Sequence, residues 1–175
     1  MGLGFDLQAE AVTELQGSLL DGIEGRLKPQ PERVCRYPGA IAWDTCDCAG
    51  MLAITTSRLY LTQTFPAEAQ GTGSPCDGGD LAVELQVQVV RCAPTPDEDG
   101  NPPTVEALHL AAAQLNADAW ELRAGATCAL RGLRRQREIE GYRVGAVTTI
   151  GPEGGCVAVA LPLLVALDGT CPCDG

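Results

Sequence analysis

The first apolar pattern along the chain has the spacing of an α-helix. Between residues 6 and 27, apolar side chains are three or four positions apart, with acidic residues between them. This spacing is typical of an amphipathic helix, for which Asp6 is the predicted N-cap. The helix should end at residues 28–31, because Pro29 and Pro31 cannot donate the helical hydrogen bond. The apolar positions are Val12, Leu15, Leu19, Ile23 and Leu27.

Three segments before residue 93 have the composition of strands. A short strand is predicted at 33–37, and a longer one at 51–64, which is rich in Thr, Ile, Leu and Tyr. In the third segment, 81–92, apolar and polar residues alternate, which indicates one buried and one solvated face. The apolar set is Leu81, Val83, Leu85, Val87 and Val89, and the polar set is Glu84, Gln86 and Gln88.

Two long connections lie on either side of this third strand. Residues 65–80 and 93–103 are rich in Gly, Pro and acidic side chains, which is the composition of surface loops. The first is longer than a hairpin needs, and loops of that length usually bind a partner or are disordered. We therefore expect both loops to lie on the surface.

A second helix is predicted after the acidic loop. Thr104 is its expected N-cap, and Gly125 is expected to bend or end it, with further helical turns over 127–135. The apolar positions Val105, Leu108, Ala112, Leu115, Ala119 and Leu122 recur at alternating spacings of three and four.

Two strands are predicted at the end of the chain. Residues 142–150 and 156–167 are apolar segments joined by the turn 151–155, which indicates an antiparallel pair. Pro162 predicts that the second is an edge strand, because proline has no amide hydrogen for a neighbouring strand.

The order of these elements predicts the fold class. We expect one α+β domain over 1–175, with an antiparallel or mixed β-sheet of four to five strands flanked by two to three helices. The C-terminal residues 168–175 are expected to be a flexible tail. No internal repeat and no second domain is apparent in the sequence.

The net charge and the hydropathy of the chain argue against some classes of binding partner. The chain has 12 Lys and Arg against 23 Asp and Glu, a net charge of −11. That charge argues against a nonspecific nucleic-acid coat or a binder of anionic membranes. The sequence has no run of 18 apolar residues and no basic and apolar blocks of a signal peptide at its start. We expect a soluble protein made in a cytosol, with no membrane partner.

The nine cysteines allow three interpretations. A zinc site would draw on Cys35, Cys46, Cys48 and Cys76, but the close pairs are C-x-C rather than C-x₂₋₄-C. Disulfides would have to form after release from the cell, and the cysteine count is odd. We favour the third interpretation, that cysteines serve as small apolar core residues, and we expect no cofactor. The predicted core cysteines are Cys92, Cys128 and Cys156.

Nothing in the sequence assembles a catalytic centre. His109 is the sole histidine, and its neighbours Leu108 and Leu110 indicate a buried or boundary residue rather than a base. The acidic residues 97–99 are consecutive, so their three carboxylates cannot all point at one reacting atom. We interpret this run as a solvated loop. Residues 151–155 lack the Lys-Ser/Thr that a phosphate-binding loop requires. We predict no catalytic residue and no enzyme activity.

One segment is positively charged although the chain as a whole is negative. Between residues 123 and 143, six arginines stand against two glutamates, a local net charge of +4. Guanidinium groups suit carboxylate or phosphate partners; alternatively, the arginines form a solvated helix end that complements the helix dipole. The predicted interface residues are Arg131, Arg134, Arg135 and Arg137, with Asp97, Glu98 and Asp99 as the acidic counterpart.

Three segments carry a family resemblance. Residues 37–44 (YPGAIAWD), the stretch from 81–85 (LAVEL) through 90–97 (VRCAPTPD), and 151–156 (GPEGGC) together resemble neck and tail-completion proteins of siphophages that infect actinobacteria. The likeness is greatest to their tail terminators and extends from about residue 8 to 168 in the order of elements. The nine cysteines depart from the family, since its role does not require them.

The resemblance implies a non-enzymatic virion protein, assembled in the bacterial host cytoplasm. It implies a ring, usually of six copies, that caps the tail tube on one side and meets the head-side neck protein, the stopper, on the other. DNA would pass through the lumen, and the long loops would reach neighbouring copies. The stopper itself is an alternative within the same resemblance. A metal- or disulfide-stabilised binding module is an alternative outside it.

Overall fold

The computed structural model describes residues 3–40, 50–69 and 79–168, and in these ranges the chain forms two helices and six strands. This is the predicted α+β class, with a mixed sheet. The elements in chain order are α1 (Leu3–Glu24), β1 (Arg33–Arg36), β2 (Met51–Thr62), β3 (Asp80–Cys92), α2 (Val105–Gln136), β4 (Gly141–Val144), β5 (Thr148–Glu153) and β6 (Cys156–Leu167).

The sheet has the order β1-β2-β3-β6-β4, and β5 pairs with the other half of the β6 edge on which β4 pairs. The β1–β2 pair is parallel and the other pairs are antiparallel. The predicted strand 142–150 is therefore two strands, β4 and β5, which raises the strand number from the expected four or five to six.

Pro162 does not mark an edge strand, so that prediction is wrong. β6 pairs with β3 on one side and with both β4 and β5 on the other. Pro162 lies where neither short strand pairs with β6, and its carbonyl oxygen accepts a hydrogen bond from the Gly145 amide at 2.9 Å. The missing amide hydrogen of proline falls in this gap, which is why an interior strand tolerates it.

Both helices cover one face of the sheet. The alternation predicted for β3 is confirmed on this face, where Val83, Val87 and Val89 are fully buried against α1 and α2. The opposite face is only partly solvated. Gln88 is buried there, because that end of the face carries a second apolar cluster. Its members are Met51, Ala53, Val90, Cys156 and Ala158.

Helix α1 has its predicted apolar face but different ends. Leu19, Ile23 and Leu27 are completely buried. The helix begins at Leu3, so Asp6 lies inside it and is not the N-cap. It ends at Glu24, and Leu27 follows in a turn closed by its amide hydrogen bond to the Glu24 carbonyl at 3.2 Å.

Helix α2 continues without a break for 32 residues, so Gly125 does not end it. Gly125 instead lies where α2 crosses α1: a Cβ there would be 2.9 Å from the Gly22 carbonyl oxygen and 3.0 Å from the Ile23 Cα. Packing, not a turn, requires the glycine. Thr104 is the N-cap as predicted, and its hydroxyl accepts the Ala107 amide at 3.2 Å. Neither α1 nor α2 is apolar enough to cross a membrane, in the part of the chain that the structure describes.

The first predicted loop, 65–80, is only partly described, whereas 93–103 is described throughout. Residues 65–69 fold back on β2, since the Ala69 amide donates to the Leu61 carbonyl at 2.8 Å and the Tyr60 hydroxyl donates to the Pro66 carbonyl at 2.9 Å. Residues 70–78, and the predicted tail from 169 onward, lie outside the described residues.

Candidate functional site

The basic patch consists of Arg131, Arg134, Arg135 and Arg137 and lies at the C-terminal end of α2. All four side chains are exposed, and none forms an ion pair with another residue that the structure describes. Arg134 and Arg135 in the last turn, and Arg137 at the cap, complement the negative end of the helix dipole. All four are also available to a carboxylate or phosphate on another molecule.

Arg137 ends the helix in a conformation that favours glycine. Its φ is 63° and its ψ is 28°, in the left-handed region. The Arg137 amide donates to the Arg134 carbonyl at 3.2 Å, and the Glu138 amide donates to the Leu133 carbonyl at 3.0 Å. This is the hydrogen-bond pattern of a Schellman cap, where glycine is the usual residue. An arginine costs about 1 kcal/mol here, so the chain keeps a charged side chain against its backbone preference.

Two further arginines of the basic segment have separate positions. Arg123 donates from Nη1 to the Gly145 carbonyl at 2.5 Å and so ties α2 to the end of β4. Arg143 lies on β4 and lines a surface cleft of about 310 Å³ together with Arg134. The basic patch therefore continues into this cleft, whose other charged walls are Asp80 and Glu140.

The acidic loop, defined as residues 97–99, precedes the other end of α2. The Asp97 carboxylate accepts hydrogen bonds from the Asn101 side chain at 3.0 Å, the Asn101 amide at 2.8 Å and the Asp99 amide at 3.0 Å. These bonds, with the Asn101 side chain as the largest cause, lower the pKa of Asp97 below its ordinary value. Asp97 thus shapes its own loop, and Asp97, Glu98 and Asp99 are all exposed, as expected of a solvated loop.

The structure separates the predicted interface residues into these two groups. The acidic loop precedes the first turn of α2 and the basic patch follows from its last turns. A helix of 32 residues is about 48 Å long. The two groups cannot pair within one molecule, so each presents its charge to the outside.

The N-terminal part of α2 extends beyond the core. The buried residues of this helix begin at Asp118, and before it Val105 and Leu108 are 67% and 47% exposed. His109 is exposed as well, so the expectation of a buried or boundary histidine is wrong. The apolar periodicity of the sequence continues past the point where the core ends, and for that reason it could not predict the exposure.

Two residues that the sequence did not predict hold α2 to the sheet. Arg91 of β3 and Asp118 of α2 are both buried and form an ion pair, with 2.8 Å between Nε and Oδ2. Each interrupts an apolar series: Arg91 follows Val87 and Val89 in the alternation, and Asp118 lies between Leu115 and Leu122 on the helix. The sequence could have indicated this pair, because each of the two apolar faces carries one charged residue and the two charges have opposite signs.

The described cysteines differ from the predicted core role in two cases. Cys156 is buried as expected. Cys128 is an exposed free thiol, because it lies on the solvent side of α2, and Cys92 is disulfide-bonded. Of the cysteines considered for a zinc site, Cys35 is a half-buried free thiol, and Cys46, Cys48 and Cys76 lie outside the described residues. Within the described ranges, no group of three His, Cys, Asp or Glu residues could hold a metal ion.

Comparison with known families and proteins adds no assignment: no protein-family model and no curated protein matches the chain.

Proposed function

We propose that the protein is a structural virion protein of the tail-terminator type, which forms a ring, with six copies as the expected number. The ring would cap the phage tail tube and meet the head-side neck protein on its other side. This proposal rests on the resemblance of three sequence segments and on the surface described above. It involves no catalysis.

The observation that carries the proposal is the separation of opposite charges along α2. The basic patch and the acidic loop are exposed and lie at opposite ends of a helix about 48 Å long. Two complementary surfaces at different places on one chain favour a head-to-tail contact, in which each copy binds the next. Such contacts close into a ring when the rotation between copies divides a full turn.

Arg137 supports a role for the patch in binding. Glycine would satisfy the same cap with less backbone strain, yet an arginine occupies the position. Residues in strained backbone conformations cluster at functional sites, where the side chain has a role other than stabilising the fold. A contact with an acidic neighbour is such a role.

The test is the assembly state of the purified protein at high concentration, measured by negative-stain electron microscopy and mass photometry. We expect rings of about 110 kDa, corresponding to six copies of the 18.3 kDa chain. The double variant Arg134→Glu/Arg135→Glu should remove them. It should remain folded, because both side chains are exposed and the lost dipole interaction costs only about 0.3–1 kcal/mol each.

A matched control and a rescue variant make this test specific. Arg33→Glu/Arg36→Glu changes the net charge equally at two exposed positions of β1, on the far edge of the sheet, and should leave rings intact. Adding Glu98→Arg/Asp99→Arg to the patch variant should restore rings, because both sides of the contact are then reversed. Equal loss in the control, or failure of the rescue, would remove the patch–loop contact from the proposal.

The bonded state of Cys92 favours a second candidate, a disulfide-stabilised binding module. In that case reduction should lower the melting temperature, because a disulfide restricts the unfolded chain. A chelator separates this candidate from a zinc module, since removal of a structural metal destabilises the protein without a reductant. A monomer that loses stability only on reduction would favour the module over the ring.

A further inference from the structure

Cys92 and Cys156 lie directly opposite each other at one end of the β3–β6 pair. They are Cα partners in the antiparallel register. Just beyond them, the Ala93 amide donates to the Gly155 carbonyl at 2.8 Å. Hydrogen-bonded and non-hydrogen-bonded pairs alternate along an antiparallel ladder, so Cys92 and Cys156 are a non-hydrogen-bonded pair. The two side chains of such a pair lie on the same face of the sheet and approach each other most closely.

A disulfide can join two residues in this arrangement. The Cα atoms of a non-hydrogen-bonded pair are about 4.5 Å apart, and those of disulfide-bonded cysteines are about 4.4–6.8 Å apart. A bond between Cys92 and Cys156 therefore requires no change in the register of β3 and β6.

The two sulfur atoms are in different chemical states. Cys92 is disulfide-bonded. Cys156 carries a thiol, which donates to the Gly154 carbonyl with 3.8 Å between Sγ and the oxygen. The present disulfide partner of Cys92 is thus a cysteine other than Cys156. A disulfide and a thiol on neighbouring residues are the two groups that thiol–disulfide exchange requires.

We propose that Cys156 is an exchange partner for the Cys92 disulfide. The Cys156 thiolate attacks Cys92 Sγ, a Cys92–Cys156 bond forms, and the bond from Cys92 to its present partner breaks. The electron pair of the broken bond stays on the sulfur of the present partner, which takes up the proton that Cys156 lost. One thiol is consumed and one is produced, so the step needs no oxidant and no reductant.

The position of Cys156 restricts its thiol to this reaction. The side chain is completely buried in the second apolar cluster, so disulfides of other molecules do not reach it. Cys35 packs against the same cluster, but it lies on β1, two strands from β3. Two strand spacings are about 10 Å, which is too far for a disulfide. Cys128 lies on α2, which covers the other face of the sheet. Of the described thiols, only that of Cys156 adjoins Cys92.

The exchange gives Cys92 two disulfide states. In one state Cys92 is bonded to its present partner, and in the other it joins β3 to β6, two strands that are already paired. The sheet is the same in both states, and the difference is the cysteine that leaves Cys92 as a thiol. This switch belongs to a single chain, so it goes beyond the proposed ring and does not depend on it.

The experiment follows the cysteines of the full, oxidised chain by peptide mapping. The protein is incubated in mildly alkaline buffer, in which thiolates form, and acid then stops the exchange. Cleavage after acidic residues places Cys92 and Cys156 in the separate peptides 85–97 and 154–168, neither of which contains another cysteine. We expect these two peptides to become disulfide-linked with time, at a rate independent of protein concentration, while the total number of thiols stays constant.

Two variants identify the attacking thiol. In Cys156→Ala, the present partner of Cys92 should stay bonded throughout the incubation. Cys35→Ala is the matched control, because it removes a thiol that packs against the same cluster, and it should exchange as the unmodified chain does. The proposal is overturned if the unmodified chain never yields the linked peptides, if their rate of formation rises in proportion to protein concentration, or if the present partner is released equally in Cys156→Ala.

Discussion

The guanidinium of Arg91 and the carboxylate of Asp118 form a buried, bidentate ion pair between β3 and α2. Nε lies 2.8 Å from Oδ2, and Nη2 lies 3.0 Å from Oδ1. Nη2 also donates to the Pro29 carbonyl at 2.8 Å, and the Gln114 amide joins Asp118 Oδ1 to the Lys28 carbonyl. The pair therefore links the sheet, the long helix and the connection that follows α1.

Breaking this pair from one side should be costly. Asp118→Ala leaves the Arg91 charge buried without its partner, so we expect a loss of about 3–5 kcal/mol in the free energy of unfolding. The double variant Arg91→Met/Asp118→Leu removes both charges and should be clearly more stable than Asp118→Ala. Urea unfolding measures all three proteins, and equal stability of the single and double variants would contradict a buried pair.

The crossing of the two helices can be tested at its glycine. Gly125→Ala should destabilise the protein by about 1–3 kcal/mol, because the added Cβ would be 2.9 Å from the Gly22 carbonyl oxygen. Gly132→Ala in the same helix is the control, since a Cβ there meets nothing within 4 Å. It should stabilise by about 0.5–1 kcal/mol through helix propensity. Thermal melts that shift both variants in one direction would rule out a packing role for Gly125.

Two substitutions of the cap residue Arg137 test its effects on stability and on binding separately. Arg137→Gly should stabilise the fold by about 1 kcal/mol relative to Arg137→Ala, because only glycine relieves the positive φ of 63°. Both variants remove the guanidinium and should weaken ring assembly to a similar degree. Denaturant unfolding and mass photometry, run on the same two preparations, measure the two effects. Full assembly of the glycine variant would show that the charge is dispensable.

The core face of β3 gives a simple test of the strand register. Val87→Asp places an unpaired carboxylate among fully buried side chains and should cost several kcal/mol, about enough to unfold the domain. Gln86→Asp makes the same acidic substitution one residue earlier, on the partly exposed face, and should fold. Circular dichroism and proteolysis distinguish the two, and the opposite result would mean that the strand is inverted.

The acidic loop should respond to pH through Asp97. Hydrogen bonds from Asn101 lower the pKa of Asp97 in the folded protein, so they favour its charged form. Their stabilising effect is present above the unfolded pKa and is lost as pH falls through the lowered folded pKa. Carboxyl NMR titration should show Asp97 titrating at lower pH than it does in the Asn101→Ala variant. An unchanged midpoint would show that the Asn101 side chain does not donate to Asp97 in solution.

The prediction from sequence succeeded where a side chain's environment follows from local periodicity. The buried positions of α1, the Thr104 cap and the core face of β3 all follow from spacing or residue type. Gly125 and Pro162 were misread for one shared reason. Judged by local conformation, glycine interrupts a helix and proline interrupts a strand. Gly125 is instead required by the close approach of α1, and Pro162 lies where neither β4 nor β5 pairs with β6.

The sequence by itself determined the α+β class, the order of elements, and the presence of a basic segment and an acidic loop, because composition and period act over a few neighbouring residues. Only the tertiary structure decided that these charges stand at opposite ends of one unbroken helix, that Arg91 meets Asp118, and that Leu110 and Trp120 remain exposed. These relationships depend on where the core begins and ends along α2. That limit is set by contacts between residues far apart in the chain, which no local pattern records.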